Sequence, residues 1–382
     1  MGDMDVVEVA RSLAPQIRDL SDTIEQNGEM PAQLAGQIAD AGLFQMYLPA
    51  AAGGPQLDPL RVFQVTEALA RADGSVAWCV SISTAISSYL ALISPEAARQ
   101  IAGERPRLRL AGSARPLGSA TQVEGGYRVT GRWDFASNVL QSQWYVGTSV
   151  IEGQNTAEGP KTRAMIMPVE AGEVIRTWDT LGMRGTGSHD FAVEDLFVPT
   201  DFTAAARHAI SAPVGVYQPR LAGVTIWSPT VGVALGLARG ALDDFEVLAR
   251  RRGTGSPVPL RDRGEIQMVY GEAEAIVGAA RAYVVAAVST AWEAVEAGLS
   301  GADLDEPMAQ ARLAITHGMN EALRVVDLLQ RAAGTNGLFK TARLERRFRD
   351  LHTAVQHAAG VRLHIQSAGR VFLGLPADAP YF

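Results

Sequence analysis

Apolar positions recur at three- and four-residue spacing through the first hundred residues, in Val6, Val9, Ala10 and Leu13 and again in Leu34, Ile38 and Leu43. That is the period of helices with one buried stripe. Pro31 fits the first turn of a second helix, and Asp58-Pro59 supplies an N-cap and first-turn pair for a helix through Ala70. Asp73-Gly74-Ser75 opens another, largely buried helix, while Ala51-Ala52-Gly53-Gly54-Pro55 is a loop by composition. Near Arg107 the period shortens. Val123-Glu124-Gly125-Gly126-Tyr127-Arg128-Val129 reads as a hairpin with a Gly-Gly turn, and 144–151, 164–169, 174–178 and 191–198 read as strands. The polar stretch 153–162 is expected to be a surface loop. From about Thr225 the helical period returns in alanine-rich segments at 232–252, 264–297, 308–333 and 344–373. Helices, then a closely spaced antiparallel sheet, then helices make an α+β chain, with the sheet expected to form a small barrel. The segments divide at 1–106, 107–220 and 221–382.

Charge and composition narrow the function classes. The chain has 382 residues, 34 basic and 41 acidic, for a net −7, which argues against a nucleic-acid or anionic-membrane partner. Two uncharged stretches, 74–95 and 221–238, read as buried helices. The first holds six serines, and the second is interrupted by Pro229 and glycines. The N-terminus carries Asp3, Asp5 and Glu8 early and lacks the pattern of a secretory signal. Cys79 is the only cysteine, which excludes an internal disulfide and fits a cytoplasmic protein. Lysines are confined to Lys161 and Lys340, so positive charge is almost all arginine.

The run Gly182-Met183-Arg184-Gly185-Thr186-Gly187-Ser188 suggests a phosphate loop, but an alternating strand follows it where a dinucleotide fingerprint would open a helix. It also lacks the lysine of a P-loop. It is either a glycine-rich bend in the sheet or the lining of a flavin or substrate pocket. His352, His357 and His364 are spaced by five and seven, which does not suit helical chelation, so no metal is expected. No Gly-x-Ser-x-Gly elbow is present. Trp133, Phe135, Trp144 and Tyr145 either fill a core or form a platform beside a planar cofactor, with Ser137 in Phe135-Ala136-Ser137-Asn138 able to reach a ring atom. Gly334-Thr335-Asn336-Gly337 ahead of Glu345-Arg346-Arg347-Phe348-Arg349-Asp350 is either a helix–helix turn or an anion approach.

In order and spacing these segments resemble the acyl-CoA dehydrogenase superfamily over almost the whole chain. The residues that carry the likeness are Leu181-Gly182-Met183-Arg184-Gly185-Thr186 running into Val193-Glu194-Asp195-Leu196-Phe197-Val198-Pro199, together with 131–145, 251–255 and Gly334 through Asp350. The resemblance implies an N-terminal helical domain, a central antiparallel β-barrel and a C-terminal four-helix bundle, usually in a tetramer. Flavin would lie between sheet, bundle and a neighbouring subunit. It further implies that Phe135, Ala136 and Ser137 meet the flavin ring, Ser137 at N5, and that Ser113 meets the pyrimidine side. Arg251 and Gly334, Thr335, Asn336 and Gly337 would touch phosphates or an adenosine end, partly across a subunit interface.

The dehydrogenases' general base, a glutamate, falls at Ala358, and alanine cannot take a proton. His357 beside it is similar to the two-component flavin monooxygenases of this fold. Those accept reduced flavin, FADH2 or FMNH2, from a separate reductase and oxidise small organic molecules through a C4a-hydroperoxyflavin, with His357 and Ser137 as the implied catalytic pair. His189 would position a loop, and His208, His317 and His364 would be surface or core residues. Relatives that hydroxylate phenols carry a further histidine where this chain reads Ala85-Ile86-Ser87-Ser88-Tyr89, which leaves amine or sulfur oxidation open. Two alternatives stand beside this reading: a dehydrogenase with its base moved to Glu246, and a catalytically silent flavin-binding homologue.

Overall fold

The Asp5 side chain accepts the Val7 N–H and starts α1, Val6–Asn27, which Gly28 ends at φ +71°. The computed structural model describes residues 5–103, 107–156, 159–205, 215–252 and 257–376. Next come α2 (Ala32–Asp40), α3 (Pro59–Ala72), α4 (Gly74–Ser87) and α5 (Pro95–Ala102). Asp58 accepts from Arg61 N with Pro59 in the first turn, and Asp73 accepts from Val76 N, so both expected caps form. Pro31 is the N-cap of α2, one position earlier than expected.

The sheet contains β1 (Leu110–Val123), β2 (Gly126–Ala136), β3 (Trp144–Thr156), β4 (Gly159–Pro168), β5 (Glu173–Ile175), β6 (His189–Pro199) and β7 (Thr203–Ala204), in the order β5-β6-β2-β1-β3-β4-β7. Every ladder is antiparallel except β1 with β3, which run parallel. β5 and β7 are the edges, and among the described residues no ladder joins them, so hydrogen bonding does not close the expected barrel. The hairpin turn is Glu124-Gly125, with Gly125 at φ +76°, because Val123 already pairs with Gly126. The described residues of the stretch 153–162, namely 153–156 and 159–162, are strand and not loop. β3 and β4 run through it as a ribbon to the pair Thr156–Gly159. Its polarity reflects exposure of both faces of that ribbon rather than irregular backbone.

The C-terminal half holds α6 (Ala222–Ala249), α7 (Gly264–Glu296), α8 (Asp305–Ala333), α9 (Arg343–Ala354) and α10 (Leu363–Phe372). α6 continues through Pro229, which the sequence suggested would break it. The helix expected over 344–373 is two helices. A 3-10 turn, Ala358–Gly360, separates them, and the Nδ1 of His357 caps it by accepting Ala359 N–H at 3.2 Å. Gly360 is required there, since a Cβ would lie 2.5 Å from the Val355 carbonyl.

Helices from both ends of the chain share one core. α3 packs on α6 so closely that a Cβ on Gly236 would meet Glu67 O at 2.3 Å, and one on Gly232 would meet Phe63 O at 2.6 Å. Among the described residues, three helical stretches are apolar and long enough to cross a membrane: Gly74–Leu92, Pro219–Ala249 and Gly264–Glu296. The first two are 78% and 94% buried in the chain, whereas the third is only 33% buried. α7 thus keeps an open face of small residues, Gly271, Ala275, Gly278, Ala282 and Ala286.

Candidate functional site

The indole of Trp78 joins the two residues expected to act together. Trp78 lies on α4, one turn after the Asp73 cap, and its Nε1–H donates to Ser137 Oγ at 3.2 Å. Its ring meets His357 edge-on, with centroids 5.3 Å apart and planes at 84°. Sheet, N-terminal helices and the α9–α10 break therefore converge on Ser137, Trp78 and His357.

Ser137 ends a line of buried hydroxyls. Thr186 Oγ1–H donates to Met183 O at 2.8 Å, Ser188 Oγ lies 2.7 Å from Thr186 Oγ1, and Ser137 Oγ lies 2.7 Å from Ser188 Oγ. Each hydroxyl has one proton. With the Thr186 proton on a carbonyl, Ser188 must donate to Thr186 and Ser137 to Ser188. Ser137 also accepts from Trp78, so its remaining lone pair is an acceptor. The glycine-rich run is what brings these groups in. Met183 and Gly187 sit at φ +53° and +50°, and a Cβ on Gly182 would lie 2.2 Å from Arg349 O.

His357 has its Nδ1 occupied as an acceptor, so the neutral ring carries its proton on Nε2. The ring is half-buried, but protein closes around it, and burial together with the positive charge of Arg312 pushes its pKa down to about 4. His357 is therefore a neutral N–H donor at pH 7. His364 behaves alike. Its Nε2–H donates to Ala358 O at 3.0 Å, and burial and Arg312 push its pKa down to about 4.

Phe135 and Ser113 approach each other through Arg115. Ser113 Oγ accepts Arg115 N–H at 3.4 Å, while the Arg115 guanidinium pairs with Asp134 and lies 6.0 Å from the Phe135 ring. Phe135 is 56% exposed at φ +59°, a backbone conformation uncommon for a large side chain. Trp178 meets it edge-on at 6.1 Å and is held by His189, whose Nδ1 accepts the N–H groups of Thr177 and Trp178. An exposed aromatic held in place beside the Ser137 acceptor fits a planar flavin ring, with buried Ala136 leaving room between them. The aromatic cluster of the sequence thus divides: Trp133 and Tyr145 fill the sheet core, and Phe135 faces outward.

The Gly334–Gly337 turn meets the chain at Arg252, the residue after Arg251, away from this group. Asn336 Nδ2 donates to Arg252 O at 3.3 Å, and Gly334, at φ +55°, ends α8. Thr316 of α8 donates to Ala359 O in the His357 turn, and Gly334 lies 18 residues further on, about 27 Å at the helical rise. Glu246 is not at the site. It is 62% exposed and pairs with Arg250 near the end of α6. His352 bonds Asp327 at 2.9 Å, His317 faces Tyr283, and His208 lies outside the described residues. Sequence reasoning missed Trp78 and Arg312, and it reached Thr186 and Ser188 only as members of the glycine-rich run. Only Arg312 had a readable signal, a charge on the buried stripe of Met308, Ile315 and Met319.

Residues 5–101 match the acyl-CoA dehydrogenase N-terminal domain and residues 230–361 the acyl-CoA dehydrogenase C-terminal domain. The indole-3-acetate monooxygenase of Pseudomonas putida is 32% identical over 87% of this chain and 84% of its own. The flavin-dependent monooxygenase oxygenase subunit HsaA of Mycobacterium tuberculosis is 30% identical over 93% of this chain and 91% of its own. The crystal structure of 3-HSA hydroxylase from Rhodococcus sp. RHA1 superposes with a TM-score of 0.86 at 26% identity, covering 100% of both chains. The order of helices, sheet and helices and these matches place the chain in the acyl-CoA dehydrogenase superfamily, among its flavin-dependent monooxygenases.

Proposed function

We propose that this chain is the oxygenase component of a two-component flavin monooxygenase that accepts FADH2 or FMNH2 from a separate reductase and oxidises a small organic substrate. The observation that carries the reading is the pairing of an acceptor, Ser137, with a neutral donor, His357, across Trp78, at the place where a dehydrogenase needs a carboxylate and this chain has Ala358. Bound reduced flavin supplies two electrons to O2, so that one oxygen atom enters the substrate and the other leaves as water.

In this reading Ser137 accepts the N5–H of the reduced ring, a proton the oxidised ring lacks. Phe135 and Ala136 flank the ring, and Ser113 serves its pyrimidine edge. His357 Nε2–H is the proton source, and Trp78 keeps it aligned with Ser137. Arg251, Gly334, Thr335, Asn336 and Gly337 hold the far end of a cofactor, and their separation from His357 along α8 supports a neighbouring subunit as its owner. The open face of α7 and the exposed Leu338 and Phe339, at 68% and 67%, support a homo-oligomer such as a tetramer, with segments 1–106, 107–220 and 221–382 acting as one unit. The experiment is turnover with a flavin reductase, NADH and ¹⁸O2. One ¹⁸O atom per product is expected, and His357→Ala should divert oxygen to hydrogen peroxide. Flavin reduction by an acyl-CoA with no reductase present would refute the proposal.

A further inference from the structure

Arg312 lies in α8 on the stripe that faces the bundle core and is 1% exposed. Among the described residues, none accepts a hydrogen bond from its Nε, Nη1 or Nη2. Its guanidinium carbon lies 3.4 Å from the centre of the Trp227 ring, so stacking fixes its plane while its in-plane donors go unused. His364 packs on the same indole at 4.9 Å, and its Nδ1 is also buried without a partner. Two orphaned polar groups on one ring point to a missing polar ligand, because buried donors and acceptors are almost always matched.

The place is next to the reacting centre. Thr316, one helical turn after Arg312 on the same face of α8, donates to Ala359 O at 2.9 Å, and Asn320 donates to Gly360 O at 3.1 Å. Arg312 therefore borders the turn that carries His357, and its charge reaches both His357 and His364. A guanidinium fork matches a carboxylate with two parallel hydrogen bonds. The two histidines beside it are neutral, so one fixed positive charge is available, which suits a monoanion better than a phosphate.

We propose that Arg312 is a specificity-determining residue whose unused donors bind the carboxylate of an aromatic carboxylic acid substrate, beside Trp227 and His364 and next to the turn that carries His357. This rests on the oxygenase reading for the reaction, though not for the binding. The ordinary fate of an unpaired buried arginine would be replacement by an apolar residue, and the ligand supplies the reason to keep it.

The test is calorimetric titration of the full-length chain, loaded with reduced FMN without oxygen, using phenylacetate, indole-3-acetate and benzoate and the neutral amide of each. At least one acid should bind tenfold or more tightly than its amide. Arg312→Met should reduce that ratio to about one, and Arg312→Lys should keep part of it. Without any acid, Arg312→Met should melt no lower than the parent chain, because no hydrogen-bond partner is lost, an unpaired buried charge is removed, and methionine keeps an apolar contact with Trp227. Equal or absent binding of all three pairs overturns the proposal, as does an Arg312→Met chain that keeps the preference or melts lower. If the acid preference depends on Arg312 while ¹⁸O fails to enter product, the oxygenase reading falls and the binding assignment stands.

Discussion

At the scale of single residues, the direction of hydrogen bonds carries more information than their number. The Met183 carbonyl fixes the Thr186 proton, Thr186 fixes Ser188, and Ser188 fixes Ser137 as an acceptor. Ser188→Ala releases the Ser137 proton and allows it to donate. The expected outcome is a reduced-over-oxidised flavin affinity ratio about tenfold smaller, the cost of one hydrogen bond of roughly 1.4 kcal/mol, read from anaerobic and aerobic titrations. An unchanged ratio would show that the relay does not orient Ser137. His357 and His364 add a pH dependence. Their folded pKa values, about 4, lie below the ordinary 6.5, so the unfolded chain binds more protons between those limits. Stability therefore falls as pH drops from about 6.5 to 4. Asp350 acts oppositely, since burial and the nearby Asp73 raise it to about 7, and it contributes stability that is lost as pH rises toward that value. Asp73, raised by burial, acts in the same sense as Asp350, and His189, lowered by burial, in the same sense as the other two histidines, so three histidines stand against two carboxyls and the melting temperature should decline on acidification. His357→Gln should flatten the decline, and an equally steep curve in that variant would remove His357 from the cause.

At the scale of elements, the interruption between α9 and α10 creates the site. A continuous helix over 344–373 would leave His357 Nδ1 no amide to accept and would hold its ring in a helical direction; the break turns it toward Trp78. Asp350, on α9, accepts the Met183 N–H at 2.6 Å and so ties the break's leading helix to the glycine-rich run. Gly182→Ala forces a Cβ against the Arg349 carbonyl, and it should cost about 1–3 kcal/mol of stability and weaken flavin binding. Calorimetry of the variant checks both, and a melting point equal to the parent's would mean the run yields at no cost. Much of this scale is legible in sequence. Asp58-Pro59 and Asp73 declare helix starts because caps act locally, and the alternation of β6 rejected a dinucleotide fold at once. The break was not legible. Gly360 stands alone in an alanine-rich run, and its need is set by the Val355 carbonyl only after the chain has turned. Nor was Trp78, whose partners lie 59 and 279 residues away and meet it only by tertiary packing. The residues that the family likeness supplied fall into two separate sets, and that grouping needed the path of α8.

At the scale of the whole molecule, that grouping has a consequence. The turn that carries His357 is tied to the middle of α8 at Thr316, whereas Gly334 and Asn336, the latter bonded to Arg252, lie past its C-terminus, about 27 Å further along the helix. Under the proposed function a complete binding site would draw the ring-holding set from one subunit and the far set from its neighbour, and the open small-residue face of α7 would be where the copies pack. Subunit mixing separates this arrangement from a site complete within each chain. Ser137→Ala disables one set and Arg251→Glu the other, so each homo-oligomer should bind reduced flavin poorly. Co-expressed, the two variants place some intact sets opposite one another and should recover a substantial fraction, roughly a quarter for random pairing of two halves, of parental oxygen incorporation and of flavin bound per oligomer. Sites confined to single chains cannot be rebuilt by mixing, because every chain would still carry one lesion. The mixed sample would then equal the mean of the two variants, and Arg251 and the Gly334–Gly337 turn would have to be assigned some role other than serving a neighbour's cofactor.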